Sequence, residues 1–152
     1  MDAEASNSKA ASRRENRIAA MQFLYMQIVS GANTSDDLTA FLEGKERPRQ
    51  YYAFAEELIA GVNSRLAEID AVISKFATNW SIERIAKVDL AILRLAIFEL
   101  KFRDDIPPIV SINEAVDLAK GFSSAESKRF INGILDSVKG TLSRPLRSSV
   151  KK

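Results

Sequence analysis

Between Val88 and Leu100 the chain carries only three charges, Asp89, Arg94 and Glu99, in an otherwise apolar run. A helix that is apolar on nearly all sides has to lie inside a bundle, because no side of it gains from facing water. Charges kept on such a helix must be paired or hydrogen-bonded, since an unpaired buried charge is costly. The run therefore predicts a core helix from about Lys87 to Phe102, and the rest of the chain must cover it. Val88, Ile92, Leu95, Glu99 and Phe102 share one stripe, so Glu99 points where a core residue belongs. It is expected to accept hydrogen bonds from a neighbouring helix end or an arginine. Asp89 and Arg94 lie on different faces and are candidates for a partner surface or a nucleic-acid edge.

The flanking segments read as helices too. Residues 1–11 are small and polar and are expected to be disordered. Ser12 and Glu15 have capping-box spacing, and Ile18, Met21, Tyr25 and Ile28 follow as a buried stripe. After a break at Gly31–Thr34, a short helix is expected over 35–44. One long amphipathic helix is expected from Tyr51 to Phe76, and a turn through Ile85 then leads into the core helix. Pro107 and Pro108 forbid its continuation. Capping-box patterns at Ser111–Glu114 and Ser123–Glu126 predict two more helices, ending at Gly121 and Gly140. No stretch alternates with period two over a strand length. The fold class is all-α, a compact bundle of six or seven helices. Residues 12–140 form the domain, and 141–152 form a basic C-terminal tail.

Composition removes whole classes of function. The chain has no cysteine and no histidine, so disulfides, thiolate metal sites and imidazole acid–base chemistry are excluded. It carries no glycine-rich phosphate loop and no Gly-x-Ser-x-Gly. We expect no catalytic residue, no metal site and no cofactor. No apolar run is long enough for a membrane span, and the acidic Met1–Glu4 start is unlike a signal peptide. The cytoplasm is the expected location.

The net charge of +2 hides an uneven distribution. Residues 1–17 carry +1 and residues 139–152 carry +5, which leaves −4 on the body. Basic ends on an acidic body suit local contact with a polyanion. Arg13, Arg14 and Arg17 cluster in the first turns of a helix, where cations oppose the helix dipole. They cost stability without return unless an anion sits nearby. Lys120, Lys128 and Arg129 stand at helix ends and are candidates to extend a phosphate track.

Four blocks taken together carry a resemblance. They are Val88–Leu100, Val110–Lys120, Phe130–Asp136 and the N-terminal Arg13-Arg14-Glu15-Asn16-Arg17 followed by Ala20–Tyr25. At these distances the chain closely resembles the NusB family of bacterial transcription antitermination proteins over about residues 12–140. The resemblance implies two helical subdomains and binding of a single-stranded boxA element in nascent ribosomal RNA. It also implies a heterodimer with ribosomal protein S10 (NusE), joining RNA polymerase with other Nus factors. A similar domain is fused to some RNA cytosine methyltransferases, but this chain has neither the length nor the cysteine for that chemistry. Arg13, Arg14 and Arg17 match the arginine-rich first helix that looks like the family's RNA-binding element, with Glu15 where some members carry another arginine. Phe130 resembles an aromatic that holds RNA, although its place on an apolar stripe equally suits a core residue. Tyr25 and Asp89 look like contacts for the S10-like partner, and Glu126 falls in a loop used near both partners. Self-association of the free protein through the same surface is a further expectation. The competing reading is a helical protein–protein adaptor that does not touch RNA, and salt dependence of binding separates the two.

Overall fold

The computed structural model describes residues 3–150. Among these residues the chain forms seven α-helices and two short 3-10 turns, with no strand. The helices are α1 (Ala3–Ser30), α2 (Ser35–Glu43), α3 (Ala53–Ser64), α4 (Leu66–Phe76), α5 (Lys87–Phe102), α6 (Pro108–Phe122) and α7 (Ala125–Lys139). The all-α expectation holds, and so does the core helix. Every α5 residue from Asp89 to Leu100 is buried except Arg94. On one side α1 and α3 pack on α5 and on each other; on the other side α4, α6 and α7 pack on α5, with α7 also against both α4 and α6. The two groups share α5 and one continuous apolar core.

Several boundaries differ from the sequence reading, each for a physical reason. α1 starts at Ala3, so residues 3–11, expected to be disordered, are helical and Ser12 caps nothing. The remainder of that expected tail, Met1 and Asp2, lies outside the described residues. Ser12 instead lends its carbonyl oxygen to Asn16 Nδ2 at 2.8 Å. The buried face of α1 runs through Asn16, Arg17, Ala20, Phe23 and Leu24 as well as the expected Met21, while Tyr25 is exposed and Ile18 and Ile28 are half-buried. Two polar residues on this face hid it from a hydrophobicity pattern. Asn16 has a structural task there: its Oδ1 accepts from the Ala55 amide at 2.9 Å, satisfying a donor in the first turn of α3.

The expected helix 51–76 is broken at Arg65, whose backbone (φ −119°, ψ 19°) leaves the helical region. The apolar period continues through the break, but α3 packs against α1 and α5 whereas α4 turns towards α5 and α7. α6 opens three residues early, on Pro108, whose missing amide costs nothing in a first turn. Ser111 and Glu114 therefore lie inside α6 and form no capping box. The α7 cap is Ser124, whose hydroxyl accepts from the Ser127 amide at 3.1 Å.

The C-terminal segment is packed, not free. Arg144 Nη2 donates to the carbonyl oxygens of Leu100 (2.9 Å) and Glu99 (3.2 Å), and Nη1 donates to that of Ile106 (2.7 Å). The Leu100 carbonyl is among the acceptors the end of α5 leaves unpaired, the Glu99 carbonyl also takes the Arg103 amide at 3.1 Å, and a cation suits that end of the dipole. The last two residues of the expected basic tail, Lys151 and Lys152, lie outside the described residues.

Candidate nucleic-acid interface

The three N-terminal arginines separate into three different environments. Arg17 is a core residue, only 3% exposed. It donates from Nε and Nη2 to the two carboxylate oxygens of Glu99, each at 2.9 Å. Glu99 also accepts from Ser111 Oγ at 2.8 Å. Arg17 is thus withdrawn from the surface where it was expected, and the buried Glu99 has the arginine partner its stripe position called for. The displacement follows from spacing: Arg17 lies three and seven residues before Ala20 and Leu24, on the face that α1 turns inward.

Arg14 is exposed and engaged with α6. Its Nη2 lies 2.7 Å from Glu114 and 3.2 Å from Asp117. Hydrogen bonding to Glu114 holds its guanidinium even more firmly protonated than usual. Exposed pairs of this kind are worth ~0.2–1 kcal/mol, so a stronger anion can take Arg14 from them.

Of the three arginines, Arg13 is the one with no carboxylate within 4 Å among the described residues. Its guanidinium sits 4.4 Å from the centre of the Phe54 ring. Arg17 and Arg103 approach the same ring at 5.3 and 5.5 Å. Arg17 is balanced by Glu99, and Arg103 by Asp105 and Glu57. The close partner of Arg13 is the ring face, a weak one at a half-open site, with the carboxylates of Asp105 and Glu99 acting on it from farther away. Partial burial and the neighbouring cations Arg17 and Arg103 make its guanidinium easier to deprotonate than a free one. An anion arriving at Arg13 would relieve that repulsion.

Arg13 and Arg14 line a groove of about 830 Å³ between the start of α1 and the α5–α6 junction. Its far wall is Ile106, Pro107 and Val110, and Lys9 adds a further exposed cation. Sequence reasoning missed Lys9 because it falls in residues expected to be disordered. Glu15 and Glu114 also line the groove, against four cations; this excess of positive charge beside an apolar wall suits a single-stranded nucleic acid, which offers both phosphates and base faces.

A second groove brings together Asp89, Glu126 and Phe130 with Trp80 and Arg84. Asp89 is 4% exposed and lies at its floor. Its two carboxylate oxygens accept from Ser123 Oγ at 2.8 Å and Ser127 Oγ at 2.7 Å. These serines flank the start of α7, where the helix dipole favours a negative charge. The reason Asp89 persists on a buried helix is therefore internal. Glu126 is exposed at the rim, Phe130 is half-buried with its ring against the core, and Trp80 is 51% exposed. Neither Trp80 nor Arg84 stood out in the sequence, because they fall in the turn between helices.

The remaining candidates are scattered. Arg94 is engaged with Asp70 by two hydrogen bonds of 2.9 Å and faces a hollow by the end of α1, beside Gln27 and Gly31. Helical rise puts that end about 20 Å along α1 from Arg13. Arg94 thus stands apart from the cationic groove and has its charge answered. Tyr25 is exposed on α1 and lines neither groove. Lys120 and Arg129 are exposed and Lys128 half-buried, at the end of α6 and the start of α7. Among the described residues no group of acidic side chains is arranged to hold a metal ion, and no helix is long and apolar enough to cross a membrane.

The chain matches the model of the NusB family over residues 14–139. Transcription antitermination protein NusB of Myxococcus xanthus (strain DK1622) is 44% identical over 137 residues, covering 88% of this chain and 98% of that protein. The protein of the same name from Citrifermentans bemidjiense is 46% identical over 138 residues, covering 86% and 95%. Among solved structures, T. maritima NusB superposes with a TM-score of 0.78 at 32% identity, over 87% of this chain and 93% of that one. A chain from the crystal structure of antitermination factors NusB and NusE in complex with dsRNA gives 0.79 at 27% identity, over 87% and 98%.

Proposed function

The chain belongs to the NusB family, and on that premise we infer that it is a transcription antitermination factor that binds RNA together with a NusE partner. The pairing with NusE and RNA is that of the similar protein whose complex has been solved. The RNA of this reading is a single-stranded boxA-type element in a nascent ribosomal transcript, and NusE is ribosomal protein S10. The factor works in the cytoplasm, with RNA polymerase and other Nus factors, and by binding alone, without catalysis.

The observation that carries the RNA half is Arg13. A half-buried cation with no carboxylate partner, facing two other arginines across one ring, is stabilised by a phosphate. Arg14 and Lys9 lie along the same groove, and Lys120, Lys128 and Arg129, away from the groove at the end of α6 and the start of α7, offer separate cationic contacts to a longer strand. Arg17 and Arg94 act in this reading as supports, since their charges are answered inside the fold. For the protein half, Glu126, Phe130, Trp80 and the exposed Tyr25 provide mixed apolar and acidic contact surface, with Asp89 holding the second groove in shape.

The test is titration of a boxA-type oligonucleotide and a scrambled one, over a range of KCl concentrations, with and without an S10-type partner. The reading expects preference for the boxA-type strand, tighter binding with the partner, and log affinity falling linearly with log salt. Equal binding to both strands, or none with the partner present, defeats it. Partner binding without any RNA binding leaves the protein-only adaptor.

A further inference from the structure

The family match ends at residue 139, yet the chain continues as a pinned segment beside the cationic groove. Building on the RNA-binding reading, we propose that residues 141–150 extend the RNA-binding groove and that Arg147 contacts the RNA backbone phosphates.

Three anchors fix the segment. Arg144 holds the carbonyls of Glu99, Leu100 and Ile106. The Ile109 amide, unpaired within its own helix in the first turn of α6, donates to the Leu146 carbonyl at 2.9 Å. The Val150 amide donates to the Asp104 carbonyl at 2.7 Å. Residues 104–109 are thus flanked by the segment along their length. Two of them, Ile106 and Pro107, together with Val110, form the groove wall that faces Arg13.

Arg147 follows Leu146 directly. Bond lengths hold its Cα within about 7 Å of the Ile109 amide nitrogen, one residue from Val110. It is exposed, and among the described residues no carboxylate lies within salt-bridge distance of it. Its neighbour Arg144 is spent on carbonyls and on Asp104 at 3.6 Å, so the two arginines divide the work: one anchors, the other is offered to solvent. Pro145 between them restricts the backbone. A cation whose backbone is already ordered loses less freedom on meeting a phosphate than one on a loose tail. Arg13 on one wall and Arg147 on the rim of the other would bracket a strand lying in the groove.

Fluorescence anisotropy with the full chain tests this, using a boxA-type oligonucleotide and oligouridine of equal length. Arg147→Ala should weaken binding to both by roughly two- to fivefold and reduce the salt slope by about 0.7, the single-strand value for one phosphate contact. The effect should be equal for the two strands, because phosphate contacts carry no sequence information. Arg147→Glu should weaken both further, with the melting temperature unchanged. If both variants keep the wild-type slope while Arg13→Ala lowers it, the segment is only a strap, and RNA binding through α1 still stands. If wild-type protein binds neither strand with an S10-type partner present, the RNA reading and this extension fall together.

Discussion

Arg17 and Glu99 lie 82 residues apart in sequence and face each other in the core, joined by two 2.9 Å hydrogen bonds with both side chains under 5% exposed. The pair ties α1 to α5. Ser111 binds the same carboxylate from α6, and Glu114 approaches Arg17 at 3.6 Å. One buried cluster therefore joins the helix that carries the RNA-facing arginines to the helix at the centre of the fold.

Arg17→Ala should destabilise the protein by about 3–5 kcal/mol, because it leaves Glu99 charged and buried without its cation. Arg13→Ala should cost under about 1 kcal/mol, since only a contact with one ring is lost and repulsion among arginines is relieved. Urea denaturation of the two variants reads the difference directly. Equal stabilities would mean that Arg17 does not carry the core. The same contrast governs any triple replacement of Arg13, Arg14 and Arg17: lost RNA binding in that variant would report partial unfolding as much as lost contacts.

Asp89 yields a similar separation. Asp89→Lys places a cation under the start of α7 and strands the Ser123 and Ser127 hydroxyls. A loss above about 3 kcal/mol is expected. Asp89→Asn retains the shape and one acceptor, and should cost about 1–2 kcal/mol. Thermal melts should precede any partner titration. A charge reversal with a wild-type melting temperature would place Asp89 at the surface, against its 4% exposure.

Gly61 shows how closely α3 approaches α5. A Cβ at this position would collide with the Phe98 ring. Gly61→Ala should therefore cost about 1–3 kcal/mol through overpacking. Adding Phe98→Leu should recover part of that loss. A double-mutant cycle measures the coupling, and additive effects would mean the two residues do not share the contact.

What the sequence made legible was local. The α5 run, the breaks at Gly31 and Pro107, and the need for a partner at Glu99 follow from spacing within one element. Burial of Arg17 and Asp89 was not legible, because their partners lie 82 and 34 to 38 residues away in sequence. The apolar stripe of α1 was right at Met21 and wrong at Tyr25, because Asn16 and Arg17 occupy part of the inward face. The capping box read at Ser111 failed because its two polar members serve other helices: Ser111 binds Glu99 and Glu114 binds Arg14. The apolar period of 51–76 was correct and still hid the break at Arg65, which redirects the chain from α3 to α4. In the candidate site, Arg13 and Arg14 were legible as a cationic pair on a helix. The wall they face was not, because Ile106, Pro107 and Val110 are ordinary residues until the fold sets them opposite.

Asp105 supplies a test by pH. Its carboxylate accepts two 2.8 Å hydrogen bonds from Arg103 Nε and Nη2. These bonds hold its pKa at about 2, below the ordinary 3.8. A carboxylate depressed on folding contributes stability that is complete above its unfolded pKa and is lost as pH falls through the folded one. The window is therefore about pH 4 down to about 2. Asp105 is half-exposed, so solvent screening makes its share small. In wild-type protein, part of the fall in melting temperature between pH 4 and 2 should come from this group. Asp105→Asn should lower the melting temperature at neutral pH and flatten the decline in that window. The gap between the two proteins should close as pH approaches 2. A gap that stays constant from pH 7 to 2 would show that ionisation of Asp105 contributes nothing to holding Arg103 beside Phe54.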